Sequence, residues 1–262
     1  MIKNIILVAS FSFFLLAASF NTVGVKQYQV KKVVIDAGHG GHDPGTHGKV
    51  SNEKDVALSI ALKLGDILEE NLSDVEVIYT RSSDTFIPLD KRADIANKNG
   101  ADLFVSIHAN ALGNPHIRGT ETYVMGTHKM ESNLGVAKRE NSVILMEEDY
   151  KENYAGYDPN SAESHIMFSL YQNAYLANSL ALAEKIETQF KTRVGRHSLG
   201  VKQQGFLVLW RTSMPSVLVE TGFLTNKQEE LYLNDKLGQT YIASGIFRAI
   251  RDYKNEIEDN IN

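Results

Sequence analysis

VVIDAGHGGHDPGTHG, from Val33 to Gly48, decides how the rest of the chain is read. Val33, Val34 and Ile35 form a β-branched run suited to a buried strand, and the glycines and proline behind it end that strand abruptly in a tight loop. His39 stands at the exit. Asp36, His42, Asp43 and His47 share the stretch, which therefore concentrates groups able to bind a divalent cation. A buried strand that opens into such a loop is the start of an α/β unit, and the following segments are expected to alternate.

They do. From Glu53 to about Asn71 the apolar residues Val56, Ile60, Leu64 and Ile67 recur at helical spacing, with Ser51 or Asn52 placed to cap the helix and Glu53 in its first turn. Val75 to Thr80 reads as a strand, and Pro88 to Asn97 as a helix with Gly100 beyond its end. Ala101 to Ile107 is a second buried strand with His108 directly after it, and Thr120 to Met125 a further strand. The stretch 126–165 is polar, acidic and rich in tyrosine, with one amphipathic segment from Leu134 to Glu148, and reads as an insertion. Beyond it, Ile166 to Arg193 has a long helical pattern, Gly205 to Leu209 is strand-like, Ser216 to Val219 is the last strand with Glu220 at its end, and Leu237 to Tyr253 is a closing helix. The expected fold is α/β: a single-domain, twisted, largely parallel sheet with helices on both faces and a helical insertion.

At 262 residues, 43% hydrophobic and 23% charged, the chain can build a real core. Lys3 and the apolar run Ile5 to Ala18, followed by small and polar residues, read as a signal peptide over 1–19, because the run is shorter than the ~18 residues of a membrane span. The expected organisation is then a lead-in at 20–30, one folded domain at 31–255 and a tail at 256–262. The mature protein is expected to be exported to the periplasm, with no membrane span. There is no cysteine, which excludes disulfides, a thiol nucleophile and thiolate metal ligands. A net charge of −5 without any basic run argues against a nucleic-acid partner.

In an open parallel sheet the ligand-binding groups gather at the carboxyl ends of the strands. His39, His108 and Glu220 each follow a strand, and Glu53 opens the helix fed by the first loop. His39, Glu53 and His108 together have the two-histidine, one-carboxylate composition of a catalytic zinc site. A place in the first turn of a helix also favours the ionised form of Glu53.

At this point the motifs carry a resemblance. VVIDAGHGGHDPG, the glutamate in SNEKDVAL, TRSSDTFIPLDKRADIAN, ADLFVSIHAN and SVLVETGFLTN stand in the order found in the zinc-dependent N-acetylmuramoyl-L-alanine amidases of bacterial cell-wall remodelling, and the chain resembles that family from about Lys31 to Tyr253. The resemblance implies one Zn2+ per chain held by His39, Glu53 and His108, with Glu220 as the catalytic glutamate. It also implies hydrolysis of the amide joining N-acetylmuramic acid to L-alanine in peptidoglycan. In division amidases of this type a helix inserted at the position of 126–165 covers the zinc until an activator protein removes it. Glu140, Glu147 and Glu148 are equivalent candidates for the covering carboxylate.

Other readings are weaker. A phosphate-binding loop would need a third glycine where Asp43 stands, and Glu220 argues against an inert wall-binding domain. A zinc peptidase or deacetylase would share the metal set but not the ordered motifs. Asp36 is placed either to orient a ligating imidazole or to make an internal hydrogen bond. Arg81 and Arg92 are placed for a substrate carboxylate or a structural ion pair. His42 and His47 read as solvated or substrate-facing, and surface or structural roles are expected for His116, His128, His165 and His197.

Overall fold

Six strands form one sheet in the order β2-β1-β3-β6-β4-β5, and every neighbouring pair runs parallel except β4 with β6. The strands are β1 (Lys32–Ala37), β2 (Glu76–Tyr79), β3 (Leu103–Asn110), β4 (Thr120–Met125), β5 (Ser198–Gln204) and β6 (Ser216–Phe223). The computed structural model describes residues 28–126, 131–161, 163–164, 167 and 174–259. The signal-peptide reading, most of the lead-in, His128 and His165 lie outside the described residues.

Alternation along the strands divides the core in two. Val33, Ile35, Leu103, Val105, Ile107, Val217 and Val219 face a layer made by α1 (Glu53–Asn71), the helix Leu176–Gln189 and the C-terminal helix Lys236–Asp259. Val34, Phe104, Tyr123, Met125 and Leu218 face the other way, onto α2 (Leu89–Lys98) and the insertion. The polar residues of the second face, Asp36, Ser106, His108, Asn110 and Glu220, continue the same alternation toward the carboxyl ends of β1, β3 and β6. That face is the one beneath the insertion.

The insertion is packed against the domain. It contains α3 (Glu131–Asn141), a 3-10 segment Ser142–Met146 and the short α4 (Tyr150–Asn153), and it buries Val136, Ala137, Val143, Ile144, Tyr154 and Tyr157. The helical segment expected to run to Glu148 therefore tightens after Asn141. Asn141 ties down that end: its Nδ2 donates to Tyr157 Oη and the Gly205 carbonyl, each at 2.8 Å, and its Oδ1 accepts from the Leu207 amide at 2.9 Å.

Several sequence expectations shift. Within the long helical pattern, α5 is Leu176–Gln189, ending in a π turn through Val194. Gly205 to Leu209 is not a strand: Ser198–Gln204 is β5, and Leu207–Trp210 is the short helix α6. An apolar run of that length does not distinguish a strand from a buried helical turn. His108 and Glu220 lie within β3 and β6, because the two strands pair side by side as far as those residues before the register shifts. Helix α7 (Lys227–Asn234) was not foreseen, and α8 (Lys236–Asp259) runs into the stretch read as a tail. No helix among the described residues is long and apolar enough to cross a membrane.

Candidate active site

The first loop is held from below by two buried arginines. Arg81 donates to the carbonyls of Ala37 at 2.9 Å and Gly38 at 2.7 Å, while Arg92 donates to those of Ala37 at 2.7 Å and His39 at 2.8 Å. Arg92 also pairs with Asp36 at 2.8 Å. Of the two roles left open, the structural ion pair is observed for Arg92, while Arg81 holds backbone carbonyls. Asp36, whose other contacts are the hydroxyls of Thr80 and Ser106 at 2.6 Å, makes an internal network and does not hold an imidazole. Asp43 does that: its Oδ2 lies 2.7 Å from His39 Nδ1. Its signal in the sequence was the four-residue spacing from His39.

His39 adopts the left-handed conformation at φ 59°, which a non-glycine residue rarely does outside tight turns and sites. The loop glycines make room for the imidazoles. A Cβ on Gly38 would stand 2.5 Å from the His108 ring, and one on Gly45 would meet His39 Cδ2 at 2.6 Å and Glu53 Oε2 at 2.8 Å.

Glu53 enters from the first turn of α1 and is fully buried. Thr46 N and Ala109 N donate to its two carboxylate oxygens at 2.8 and 3.0 Å, and its oxygens stand 3.2 Å from His39 Nε2 and 2.9 Å from His108 Nδ1. The fourth group comes from α3: Glu140 Oε2 is 3.1 Å from His39 Nε2 and 3.2 Å from His108 Nδ1. Glu147 instead accepts from the Tyr154 hydroxyl at 2.8 Å and the Leu89 amide at 3.3 Å, and Glu148 is exposed. The structure thus separates three glutamates that the sequence left equivalent.

Donor atoms of His39, Glu53, His108 and Glu140 all lie within 4.8 Å of one another and could hold a metal ion. The chemistry of the set fits a borderline cation, since imidazole nitrogens and carboxylate oxygens are typical zinc donors. His39 Nε2 and Glu140 Oε2 are buried, face each other and lack a well-directed hydrogen-bond partner. Such atoms need a compensating ligand. Electrostatics agree. Burial disfavours charge on His39 and His108, yet for His39 the Glu53 charge, the Asp43 hydrogen bond and the Glu140 carboxylate win, holding its pKa well above the usual histidine range. For His108 the adjoining carboxylates of Glu140 and Glu53 win, and its pKa is raised to about 9. The cluster carries surplus negative charge that attracts cations.

Glu220 stands beside His108 in the β3–β6 register and is fully buried, and neither carboxylate oxygen has a hydrogen-bond partner. Burial, followed by the charges of Glu140 and Glu53, raises its pKa well above the usual carboxylate range. This is the environment in which a carboxyl group serves as a proton carrier near neutrality. The other loop histidines stand apart from the cluster: His42 packs on the Phe86 ring and His47 Nδ1 contacts Asn52 Oδ1 at 2.8 Å. His116 and His197 are exposed.

A mostly parallel α/β sheet with a buried two-histidine, carboxylate cluster and an unpartnered acid beside it defines a hydrolase class of domain. Residues 33–252 match the Amidase_3 family, described as N-acetylmuramoyl-L-alanine amidase. The chain is 38% identical over 225 residues to N-acetylmuramoyl-L-alanine amidase AmiA of Escherichia coli K12, covering 84% of this chain and 75% of that one. Among solved structures, an N-acetylmuramoyl-L-alanine amidase from Clostridium difficile 630 superposes with a TM-score of 0.63 at 30% identity, over 86% of this chain and 97% of that one. The CwlD amidase of Clostridioides difficile, solved in complex with the GerS lipoprotein, gives a TM-score of 0.60 at 26% identity, over 85% of this chain and 98% of that one. The chain belongs to the N-acetylmuramoyl-L-alanine amidase family, whose activity is hydrolysis of the amide between N-acetylmuramic acid and L-alanine in peptidoglycan.

Proposed function

We propose that the chain is a zinc-dependent, self-covered amidase in which His39, Glu53 and His108 hold one Zn2+, Glu220 moves the proton and Glu140 occupies the remaining position. The observation that carries this reading is the convergence of four buried donors from three separate elements and a loop within 4.8 Å. When bound there, zinc supplies Lewis acidity toward a carbonyl or a water molecule. Asp43 fixes the His39 ring through Nδ1 and so presents Nε2 to the centre. The backbone amides of Thr46 and Ala109 hold the Glu53 carboxylate in place.

Glu220 takes a proton from the attacking water at a carboxylate oxygen and returns it to the L-alanine nitrogen, which leaves as an amine only when protonated. Its lack of other partners suits this task, since no hydrogen bond has to be broken to accept the proton. Glu140 keeps substrate out while α3 is seated. A partner protein that binds the open state better than the closed one would shift the population toward turnover, and the complex of the CwlD amidase with a lipoprotein supports a protein partner of this kind. With residues 1–19 read as a signal peptide, the enzyme acts in the periplasm, releasing stem peptides as the wall is remodelled and daughter cells separate.

Digestion of purified peptidoglycan tests the reading. Stem peptides with a free L-alanine amine are expected, lost on chelation and regained with zinc. Products that keep the lactyl amide, or release indifferent to chelation and zinc, would overturn it.

A further inference from the structure

We propose that Asn110 Oδ1 and the Ala111 carbonyl form a substrate subsite for secondary amide N–H groups flanking the scissile bond, a subsite that Arg139 fills in the closed state. The proposal rests on the reading that Glu140 covers the centre. Arg139 precedes Glu140 on α3, and its guanidinium donates along three directions: Nε to Glu140 Oε1 at 3.1 Å, Nη1 to the Ala111 carbonyl at 3.0 Å and Nη2 to Asn110 Oδ1 at 2.7 Å. Because the two residues are adjacent, whatever lifts Glu140 also withdraws Arg139. Two acceptors beside the centre then each lose the donor that Arg139 supplied.

Asn110 is set to receive a replacement. It is fully buried, its Nδ2 donates to Glu121 Oε2 at 3.2 Å, and its Oδ1 also accepts from Ala111 N at 2.7 Å. These contacts fix which end of the amide faces Arg139. Glu121 is itself held by the Tyr123 hydroxyl at 2.6 Å and Lys202 Nζ at 2.5 Å, so the acceptor keeps its orientation when Arg139 leaves. Asn110 lies two residues beyond His108 on the same face of β3, about 7 Å along the strand. That is within one or two amide units of a carbonyl placed at the centre. An acceptor pair takes N–H donors, and a buried acceptor that loses one of its two donors favours a ligand that replaces it. The substrate offers such donors from two sources, the stem-peptide amide after L-alanine and the 2-acetamido group of the muramic acid.

The test uses the full chain carrying Arg139→Ala and Glu140→Ala, with and without Asn110→Ala. Three disaccharide-tetrapeptides serve as substrates: the parent, one N-methylated at the amide after L-alanine, and one with acetoxy in place of the muramic 2-acetamido group. In the double variant, one modified substrate is expected to lose about three- to tenfold in kcat/KM, chiefly through KM. The same modification should cost nothing further once Asn110 is alanine. A loss confined to the methylated peptide assigns the donor to the stem, and one confined to the acetoxy sugar assigns it to the glycan. Equal kcat/KM for all three substrates overturns the subsite, and does so even if the Asn110→Ala protein does not fold. A loss of the same size with and without Asn110 also overturns it. Failure of the covering role reads differently: the double variant would turn over the parent substrate no faster than the unaltered chain.

Discussion

Glu140 Oε2 lies 3.1 Å from His39 Nε2, so a side chain of the insertion shares the space on which both histidines and Glu53 converge. Burial and the neighbouring Glu53 work against its charge, but the close imidazoles of His108 and His39 prevail and hold its pKa at about 2. As an anion it closes the centre. Glu140→Ala is therefore expected to raise basal hydrolysis of purified peptidoglycan by about tenfold or more, the equivalent of about 1.4 kcal/mol taken from the closed state. Turnover no higher than that of the unaltered chain would count against the covering role.

Glu220→Gln keeps the size of the side chain and removes its capacity to carry a proton. Neither Glu220 oxygen has a hydrogen-bond partner to lose, so the substitution should leave folding and zinc content unchanged while kcat falls about 10²- to 10⁴-fold. Metal analysis beside steady-state rates checks this. Wild-type turnover in the variant would remove Glu220 from the chemistry.

Asp43 acts at one remove, through His39 Nδ1 at 2.7 Å. Asp43→Ala should weaken zinc affinity by about 10- to 100-fold, measured by competition with a chromophoric chelator, while activity at saturating zinc recovers most of its value. A variant with unchanged affinity would show that the loop backbone alone orients the ring.

The Asp36–Arg92 pair predicts a stability effect with a definite pH window. Burial pushes the Asp36 pKa up, but Arg92 and the hydroxyls of Ser106 and Thr80 outweigh it and hold it below the ordinary value. A depressed carboxylate pKa contributes stability that is present above the unfolded value, near 4, and is lost as the pH falls through the folded value. Asp36→Asn should therefore be less stable than the parent at pH 7 in urea titration, with the gap closing below about pH 4. Arg92→Met should cost about 3 to 5 kcal/mol at pH 7, because it strands a buried carboxylate. A gap that is the same at pH 3 and pH 7 would contradict the assignment.

Much of this was legible in the sequence because it is written in short-range patterns. The β-branched run at Val33 to Ile35, the helical spacing of Val56, Ile60 and Leu64, and the strand containing His108 foretold β1, α1 and β3. Strand-end logic then brought His39, Glu53, His108 and Glu220 to one edge. What stayed hidden depends on tertiary contacts. Glu140, Glu147 and Glu148 are alike in local sequence, and only the packing of Val136, Ala137 and Ile144 decides that Glu140 points to the histidines. Arg139 and Asn110 carry no local signal, since their partners lie 29 positions apart. The Leu207–Trp210 turn failed as a strand because its neighbour Ser198–Gln204, more polar and half-buried, takes the sheet position.

The central claim is that one zinc ion sits among His39, Glu53 and His108 beneath Glu140. Anomalous diffraction at the zinc edge, from crystals of the unaltered protein, tests it most directly. One strong peak is predicted within bonding distance of His39 Nε2, His108 Nδ1 and the carboxylates of Glu53 and Glu140, losing only the Glu140 ligand in Glu140→Ala. A zinc peak bound by other residues, or none at this cluster in protein that analyses as zinc-loaded, would contradict it.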